Sequence, residues 1–284
     1  MHHTESIEAI RHHVTSARAA GRRVVFVPTM GALHAGHLRL LDVAATHGDE
    51  IVLSIFVNPL QFAPHEDLTR YPRPLEHDLV LAAARGATLC FLPTTATMYP
   101  MGMRTTVRPG PIADRWEGAS RPGHFEGVLT VVAKLLHIVT PDVAVFGRKD
   151  IQQATLIRQM VEDLDMPVTI IVEPTVRESN GLALSSRNAF LSPPERADAL
   201  AISAGLRAAR AAWEGGERSA ARLRDAIEEV LRRVPTVTPD YIAIIEPTGM
   251  TPVDLAPRGT IIAIAARVGA TRLIDNTILG VGDI

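Results

Sequence analysis

Cysteine is almost missing: Cys90 is the only one in 284 residues, so no intramolecular disulfide can staple the chain. Its neighbours Thr88, Leu89, Phe91 and Leu92 read as a buried strand, which makes the thiol a small core hydrophobe rather than a reactive group. Lysine is nearly as scarce, with Lys134 and Lys149 the only two in an arginine-biased chain. A dominant charge is lacking too. The formal net charge is -2 and the basic residues are scattered, so no field favours nucleic acid or a membrane surface, and small molecules become the expected partners. Long apolar runs are also absent: the stretch 128–139 is interrupted by Lys134 and His137 and falls well short of a membrane span. Residues 1–13 are polar and His-rich, with no apolar signal core, and no repeat or low-complexity tract is visible. These absences predict a soluble, cytoplasmic protein.

What remains is ordinary globular material, 46% hydrophobic and 21% charged, enough for a substantial core and a second small domain. Ile7, Ile10, Val14 and Ala17 recur at helical spacing before Gly21 ends the element, and a short apolar strand follows at 24–27. Similar runs at 51–57, 88–92, 143–146 and 168–172 are separated by stretches whose helices should begin near His37, Pro74, Gly127 and Gln152. Alternating strands and helices predict an α/β fold, a doubly wound Rossmann-like parallel sheet with its ligand crevice at the carboxyl ends of the strands. After Pro174 the pattern changes: helical segments at 194–213 and 219–233 precede strands at 241–245, 260–268 and 271–279, the last two able to pair through Gly269-Ala270. The expected organisation is a Rossmann-like domain over 1–175 and a smaller C-terminal α+β domain over 176–284.

Three segments carry chemistry. The first, Pro28-Thr29-Met30-Gly31-Ala32-Leu33-His34-Ala35-Gly36-His37, leaves the first core strand and enters a helix. Its glycines allow close backbone approach, a helix start offers unpaired amides, and two imidazoles three residues apart can face one anion, which suits nucleotide phosphates. The helix N-terminus disfavours a cation, so His37 is read as a hydrogen-bond donor rather than a full proton donor. A capped helix carrying two surface histidines is the plainer reading. A zinc pair fits poorly, because no third ligand stands at a recognisable spacing. The second segment, Phe146-Gly147-Arg148-Lys149-Asp150-Ile151-Gln152-Gln153, again runs from a strand end through glycine into a helix, and retains one of the two lysines, a compact charge for phosphate. The third, Leu184-Ser185-Ser186-Arg187-Asn188, offers hydroxyls and a guanidinium just past the domain boundary. Taken alone, each of the last two is equally a solvated turn.

Together these segments resemble the HIGH-type nucleotidyltransferase superfamily and, in more detail, the pantothenate synthetase (pantoate-β-alanine ligase) family. The likeness is carried also by Phe56-Val57-Asn58-Pro59-Leu60-Gln61-Phe62 and by Arg121-Pro122-Gly123-His124-Phe125, and it extends over essentially the whole chain. It implies an ATP-dependent ligase in which pantoate attacks the α-phosphorus to give a pantoyl-adenylate and pyrophosphate, after which β-alanine displaces AMP. It implies ATP held by Met30, Gly31, Ala32, Leu33, His34, Ala35, Gly36 and His37, by Gly147, Arg148, Lys149 and Asp150, and by Val176, Leu184, Ser185, Ser186 and Arg187. His34, His37, Lys149 and Arg187 would be the catalytic groups. Pantoate would be gripped by Gln61 and Gln153, with Asn58, Arg121 and His124 as further substrate contacts; the stretch 59–74 and the segment around His124 would wall or cover the cavity. Mg²⁺ is implied with ATP, Asp78 being a candidate ligand, and so is a homodimer whose C-terminal domain closes over the site. Ile151 stands where the family often has an aromatic residue, and Arg148 holds a variable place. Two other readings stay open on the residues themselves: an adenylyltransferase that stops at AMP transfer to a phosphorylated acceptor, and a nucleotide-binding regulatory module without catalysis.

Overall fold

Runs of β-branched residues that are apolar on both faces can be buried only in a sheet covered on each side, which is the setting of parallel strands. A computed structural model describes residues 1–64 and 66–282. The chain divides into two units, the first comprising 1–148 and 156–173, the second 149–155 and 174–284. In the first unit the order is β1 (His2–Thr4), α1 (Ile7–Ala19), β2 (Val24–Thr29), α2 (Ala35–Ala44), β3 (Glu50–Ile55), α3 (Leu75–Ala84), β4 (Leu89–Phe91), and the short α4 (Thr95–Met98) and α5 (Glu117–Ser120). Then come α6 (His124–Val139), β5 (Val143–Gly147), α7 (Ile151–Asp163) and β6 (Thr169–Glu173), with α7 giving its first turn to the second unit.

The six strands pair in parallel in the order β1-β4-β3-β2-β5-β6. The order reverses at β2, so the crevice expected outside a topological switch point lies where β2 and β5 end, at Thr29 and Gly147. Val24, Val25, Phe26 and Val27 are all buried, as the both-sides-covered pattern requires. Cys90 is fully buried beside Val25, Val27, Leu41 and Leu53, and burial, with the Asp78 charge, pushes its thiol up to about 12. One element was not legible in the sequence: the polar, His-rich start forms β1. An edge strand needs no apolar face on its solvent side, and its main chain is satisfied by parallel pairing to β4.

The second unit contains α8 (Pro193–Asp198), α9 (Leu200–Glu214), α10 (Ala220–Arg232) and an antiparallel sheet of β7 (Val237–Ile245), β8 (Ile261–Val268) and β9 (Thr271–Ile278). Leu206 of α9, Leu223 and Ile227 of α10, and Ile242, Ile262 and Ile264 of the sheet share one core. The single helical segment expected over 194–213 is two helices meeting at Ala199. Ser192 and Glu195 form a capping box that starts the first with Pro193 at its head. β7 begins four residues earlier than Tyr241, because it is an edge strand that tolerates Pro239 and absorbs the misfit as a register shift between Pro239 and Tyr241. β8 and β9 pair across Gly269 and Ala270, as the sequence predicts. Among the described residues no helix is long and apolar enough to cross a membrane.

Glu50, at the start of β3 and fully buried, ties the first unit together at the end opposite the crevice. His13 lies 2.7 Å from one carboxylate oxygen, and Arg22 and the Thr88 hydroxyl also donate to the carboxylate. Burial opposes the charge, but the Thr88 hydrogen bond and the His13 and Arg22 contacts outweigh it and hold the carboxyl below its ordinary 4.5. A carboxyl depressed on folding stabilises the protein above its unfolded pKa, and that stability is lost as the pH falls through the folded value. Glu50→Gln should therefore cost about 1–3 kcal/mol near neutrality. The gap between variant and wild-type melting temperatures should narrow as the pH is lowered below about 4; a gap independent of pH would remove the carboxylate's charge from the account.

Candidate active site

The loop leaving β2 is shaped by what its backbone must satisfy. The Thr29 hydroxyl donates to the Ser54 carbonyl (2.8 Å) and accepts from the Gly31 N–H (3.2 Å), anchoring the loop to β3. Gly31 sits at φ 81°, and a Cβ there would lie 2.9 Å from Ile55 Cγ2 and 3.0 Å from Asp78 Oδ2, so glycine is required on both counts. Ala32 follows at φ 51°, a left-handed conformation that costs a residue with a side chain about 1–2 kcal/mol. What holds it there is Asp78 of α3, only 1% exposed, whose two oxygens accept from the Ala32 and Leu33 N–H groups at 2.8 Å each. Asp78, expected as a candidate Mg²⁺ ligand, thus has both oxygens engaged in holding the loop. Among the described residues no three His, Cys, Asp or Glu side chains cluster as a metal cage.

The loop delivers His34 as the N-cap of α2. Its Nδ1 accepts from the Gly36 N–H at 3.1 Å, and His37 Nδ1 accepts from the His34 N–H at 3.4 Å, the reciprocal arrangement of a capping box. The two rings lie 4.1 Å apart between centroids. A ring nitrogen that accepts from a backbone amide carries no proton, so in this arrangement each neutral imidazole bears its proton on Nε2 and is a donor there. Protonating Nδ1 would break the cap and place a cation at a helix N-terminus, which is unfavourable.

A second constellation lies after β3. Asn58 caps the single 3-10 turn Pro59–Gln61, its Oδ1 accepting from the Leu60 N–H at 3.2 Å. That turn packs onto α6 at Gly127, where a Cβ would come within 2.2 Å of the Leu60 carbonyl oxygen. Asn58 Nδ2 donates to Gln61 Oε1 (3.0 Å) and to the Gly127 carbonyl (3.1 Å), and Tyr99 donates to Asn58 Oδ1 (2.7 Å). Arg121 Nη2 donates to the Gln61 carbonyl at 3.2 Å, and His124 Nδ1 lies 2.8 Å from that oxygen. Because a carbonyl only accepts, His124 carries a proton on Nδ1, and its Nε2 faces Arg121 Nη1 at 3.0 Å. Arg121 also grips both oxygens of Glu66, at 2.6 and 2.7 Å. Burial opposes the Glu66 charge, but its hydrogen bond to Arg121 outweighs that and holds the carboxyl below its ordinary value. Asn58, Arg121 and His124, expected as substrate contacts, are therefore engaged in holding Gln61 from the side-chain and main-chain ends. Of the stretch 59–74, residue 65 lies outside the described residues.

Gly147 ends β5 in the first unit, and the buried Arg148 opens the 3-10 turn Arg148–Asp150. In the second unit, the Asn276 side chain of β9 donates to the Lys149 carbonyl at 2.9 Å, and Lys149 and Ser185 line one small crevice with Asn188 and Asp275. Gln153 lies in the first turn of α7 within this unit. The Leu184 N–H donates to the Val176 carbonyl (3.0 Å), closing a narrow ribbon around Gly181. Ser185 caps the 3-10 turn Ser186–Phe190, which carries Ser186 and Arg187. Arg177 makes a two-pronged ion pair with Asp275 at 2.6 and 2.9 Å, which fixes the ribbon on β9. Tyr99, Asn276 and the Arg177–Asp275 pair escaped sequence reading because they lie in no motif and act through partners far along the chain.

Replacing Asp78 by Asn exchanges one acceptor for an N–H donor facing a buried amide, at a cost of about 1–3 kcal/mol. The variant should melt earlier and bind ATP more weakly whether or not Mg²⁺ is present. An unchanged melting temperature, or a defect seen only with Mg²⁺, would contradict the loop-holding role.

Residues 2–278 match the family described as pantoate-beta-alanine ligase. The chain is 54% identical over 267 residues to a pantothenate synthetase of Mycolicibacterium smegmatis, covering 93% of this chain and 83% of that protein. It superposes on the crystal structure of pantothenate synthetase from Thermus thermophilus with a TM-score of 0.92 and 45% identity, covering 98% and 99% of the two chains. A pantoate-beta-alanine ligase from Francisella tularensis, solved in complex with beta-gamma ATP and beta-alanine, superposes with a TM-score of 0.81 at 34% identity over 99% of both chains. On sequence and fold alike, over nearly its full length, the chain belongs to the pantoate-beta-alanine ligase family.

Proposed function

We propose that this chain condenses pantoate with β-alanine at the expense of ATP, through a pantoyl-adenylate, as a step of pantothenate biosynthesis. The observation that carries the reading is the pair of Nε2 donors, His34 and His37, held at the start of α2 in a chain related from end to end to such ligases. In the first step a pantoate carboxylate oxygen attacks the α-phosphorus, the bond to the bridging oxygen breaks, and pyrophosphate leaves. Neutral imidazole donors at a helix N-terminus suit that step: they stabilise charge building on the phosphoryl oxygens without surrendering a proton. In the second step the β-alanine amine attacks the acyl carbon, AMP leaves with the former carboxylate oxygen, and the nitrogen gives up one proton to solvent as the amide forms.

The residues assigned to the nucleotide are Met30 to His37, Gly147 to Asp150, Val176 and Leu184 to Arg187. Lys149 and Arg187 supply charge suited to phosphate. Gln61 and Gln153 are assigned to pantoate as neutral amides that orient a hydroxy acid without adding fixed charge beside the reacting carboxylate. Mg²⁺ suits the phosphates of ATP, which with water provide the oxygens this ion prefers. A cytoplasmic homodimer belongs to the same reading through the family resemblance.

The test is product analysis with ATP, Mg²⁺ and pantoate, with and without β-alanine. Pyrophosphate and an enzyme-bound adenylate should form from the first three, with AMP and pantothenate appearing only when β-alanine is added. His37→Ala should slow adenylate formation by about a hundredfold or more in a single turnover while changing ATP affinity far less. Release of ADP and phosphate, or a single-turnover rate for His37→Ala equal to wild type, would count against the mechanism.

A further inference from the structure

Asn58 is 1% exposed and its side chain has no hydrogen-bonding capacity to spare. An Asn amide offers two donor hydrogens and two acceptor lone pairs. Here Oδ1 takes the Leu60 N–H and the Tyr99 hydroxyl, and Nδ2 gives to Gln61 Oε1 and the Gly127 carbonyl. Two of these four partners cannot exchange roles, since a backbone N–H only donates and a backbone carbonyl only accepts. The amide orientation of Asn58 is thereby fixed by chemistry rather than by assignment. The consequence passes along the chain of bonds. Nδ2 must donate to Gln61, so the Gln61 atom facing it must be the oxygen, and the opposite end of Gln61 must be the NH₂ group. That group lies 3.1 Å from Met30 Sδ, a weak acceptor, and has a second hydrogen to offer.

The geometry points to Tyr99 as a positioning residue that, through Asn58, holds the direction of Gln61, so that its NH₂ end is presented as a hydrogen-bond donor toward an oxygen acceptor of the hydroxy-acid substrate. The inference rests on the reading that Gln61 meets pantoate. Tyr99 itself is far from that motif in sequence, at the end of α4, with its ring 6.1 Å from that of Phe56. Burial pushes its phenol well above the usual tyrosine range, so the hydroxyl remains a protonated donor throughout the working pH. Without it, Asn58 Oδ1 loses its shorter hydrogen bond, at 2.7 Å against 3.2 Å for Leu60, and the amide is restrained on that side by Leu60 alone. The Gln61 carbonyl, braced by Arg121 and His124, stays in place. The Leu60 N–H and the Gly127 carbonyl still set which end of Asn58 faces Gln61, so the defect is confined to how firmly the direction of one side chain is held.

The experiment is a double-mutant cycle on the full chain, with Tyr99→Phe and Gln61→Ala made singly and together, reading pantoate affinity by titration and the KM of each substrate. Tyr99→Phe keeps the ring beside Phe56 and removes only the hydroxyl. It should weaken pantoate binding about threefold to tenfold with ATP affinity close to wild type, and lower the melting temperature by no more than the loss of one buried neutral hydrogen bond. In the Gln61→Ala background the same substitution should have no further effect on pantoate. An equal effect in both backgrounds, no effect in either, or a parallel rise in the KM of all three substrates would overturn the positioning role. The underlying reading fails separately: Gln61→Ala alone would then leave the pantoate titration unchanged, whatever Tyr99→Phe does.

Discussion

Asp78 and the two backbone amides it receives are the constraint on which the loop from β2 to α2 depends. A buried carboxylate is costly unless every oxygen is satisfied, and here the Ala32 and Leu33 N–H groups satisfy it at 2.8 Å. The same bonds hold Ala32 at positive φ, which lets the chain turn sharply out of β2 and enter α2 at His34. Were the loop to relax, the capping box joining His34 and His37 would lose its geometry, and with it the reason for both rings to carry their protons on Nε2. One side chain on α3 thus fixes the loop that sets both imidazoles at the start of α2.

The second constellation applies the same economy to a different chemistry. On the proposed reading, phosphate is met by amides and imidazoles at a helix start, whereas a hydroxy acid is met by a carboxamide whose direction must be set from outside. Gln61 is held at its main chain by Arg121 and His124 and at its side chain by Asn58, so little rotamer freedom remains to be lost when a substrate arrives. Such preorganisation matters most in a reaction whose intermediate, an acyl-adenylate, is destroyed by water. A carboxamide already held in direction would orient the acid with less reorganisation and leave the mixed anhydride exposed for less time.

Much of this was legible in the sequence because the relevant physics is local. A strand running into Gly31 and then a histidine-capped helix leaves a contiguous signature, as does the strand end at Gly147, and alternation of apolar runs with helical stretches is enough to specify the parallel sheet. The antiparallel hairpin across Gly269 and Ala270 was legible for the same reason. What was not legible depends on partners remote in the chain. Asp78 reads in the sequence as a candidate Mg²⁺ ligand, and its hold on the β2 loop shows only when α3 is brought against that loop. Tyr99 carries no motif, and the bonds by which Asn58, Arg121 and His124 hold Gln61 show only in the folded chain. β1 was missed because a polar edge strand lacks the alternation that marks a half-buried one, and the break at Ala199 because helical periodicity continues through it.

The central claim is that the carboxylate of pantoate is activated by joining it to AMP, and isotope transfer tests that most directly. Pantoate labelled with ¹⁸O in both carboxylate oxygens is turned over to completion with ATP and β-alanine, and the AMP is examined by mass spectrometry. The account predicts one ¹⁸O per AMP and none in pyrophosphate, because the oxygen that attacked the α-phosphorus departs with it. AMP without label, or label appearing instead in inorganic phosphate, would contradict an adenylate and require a different activation of the acid.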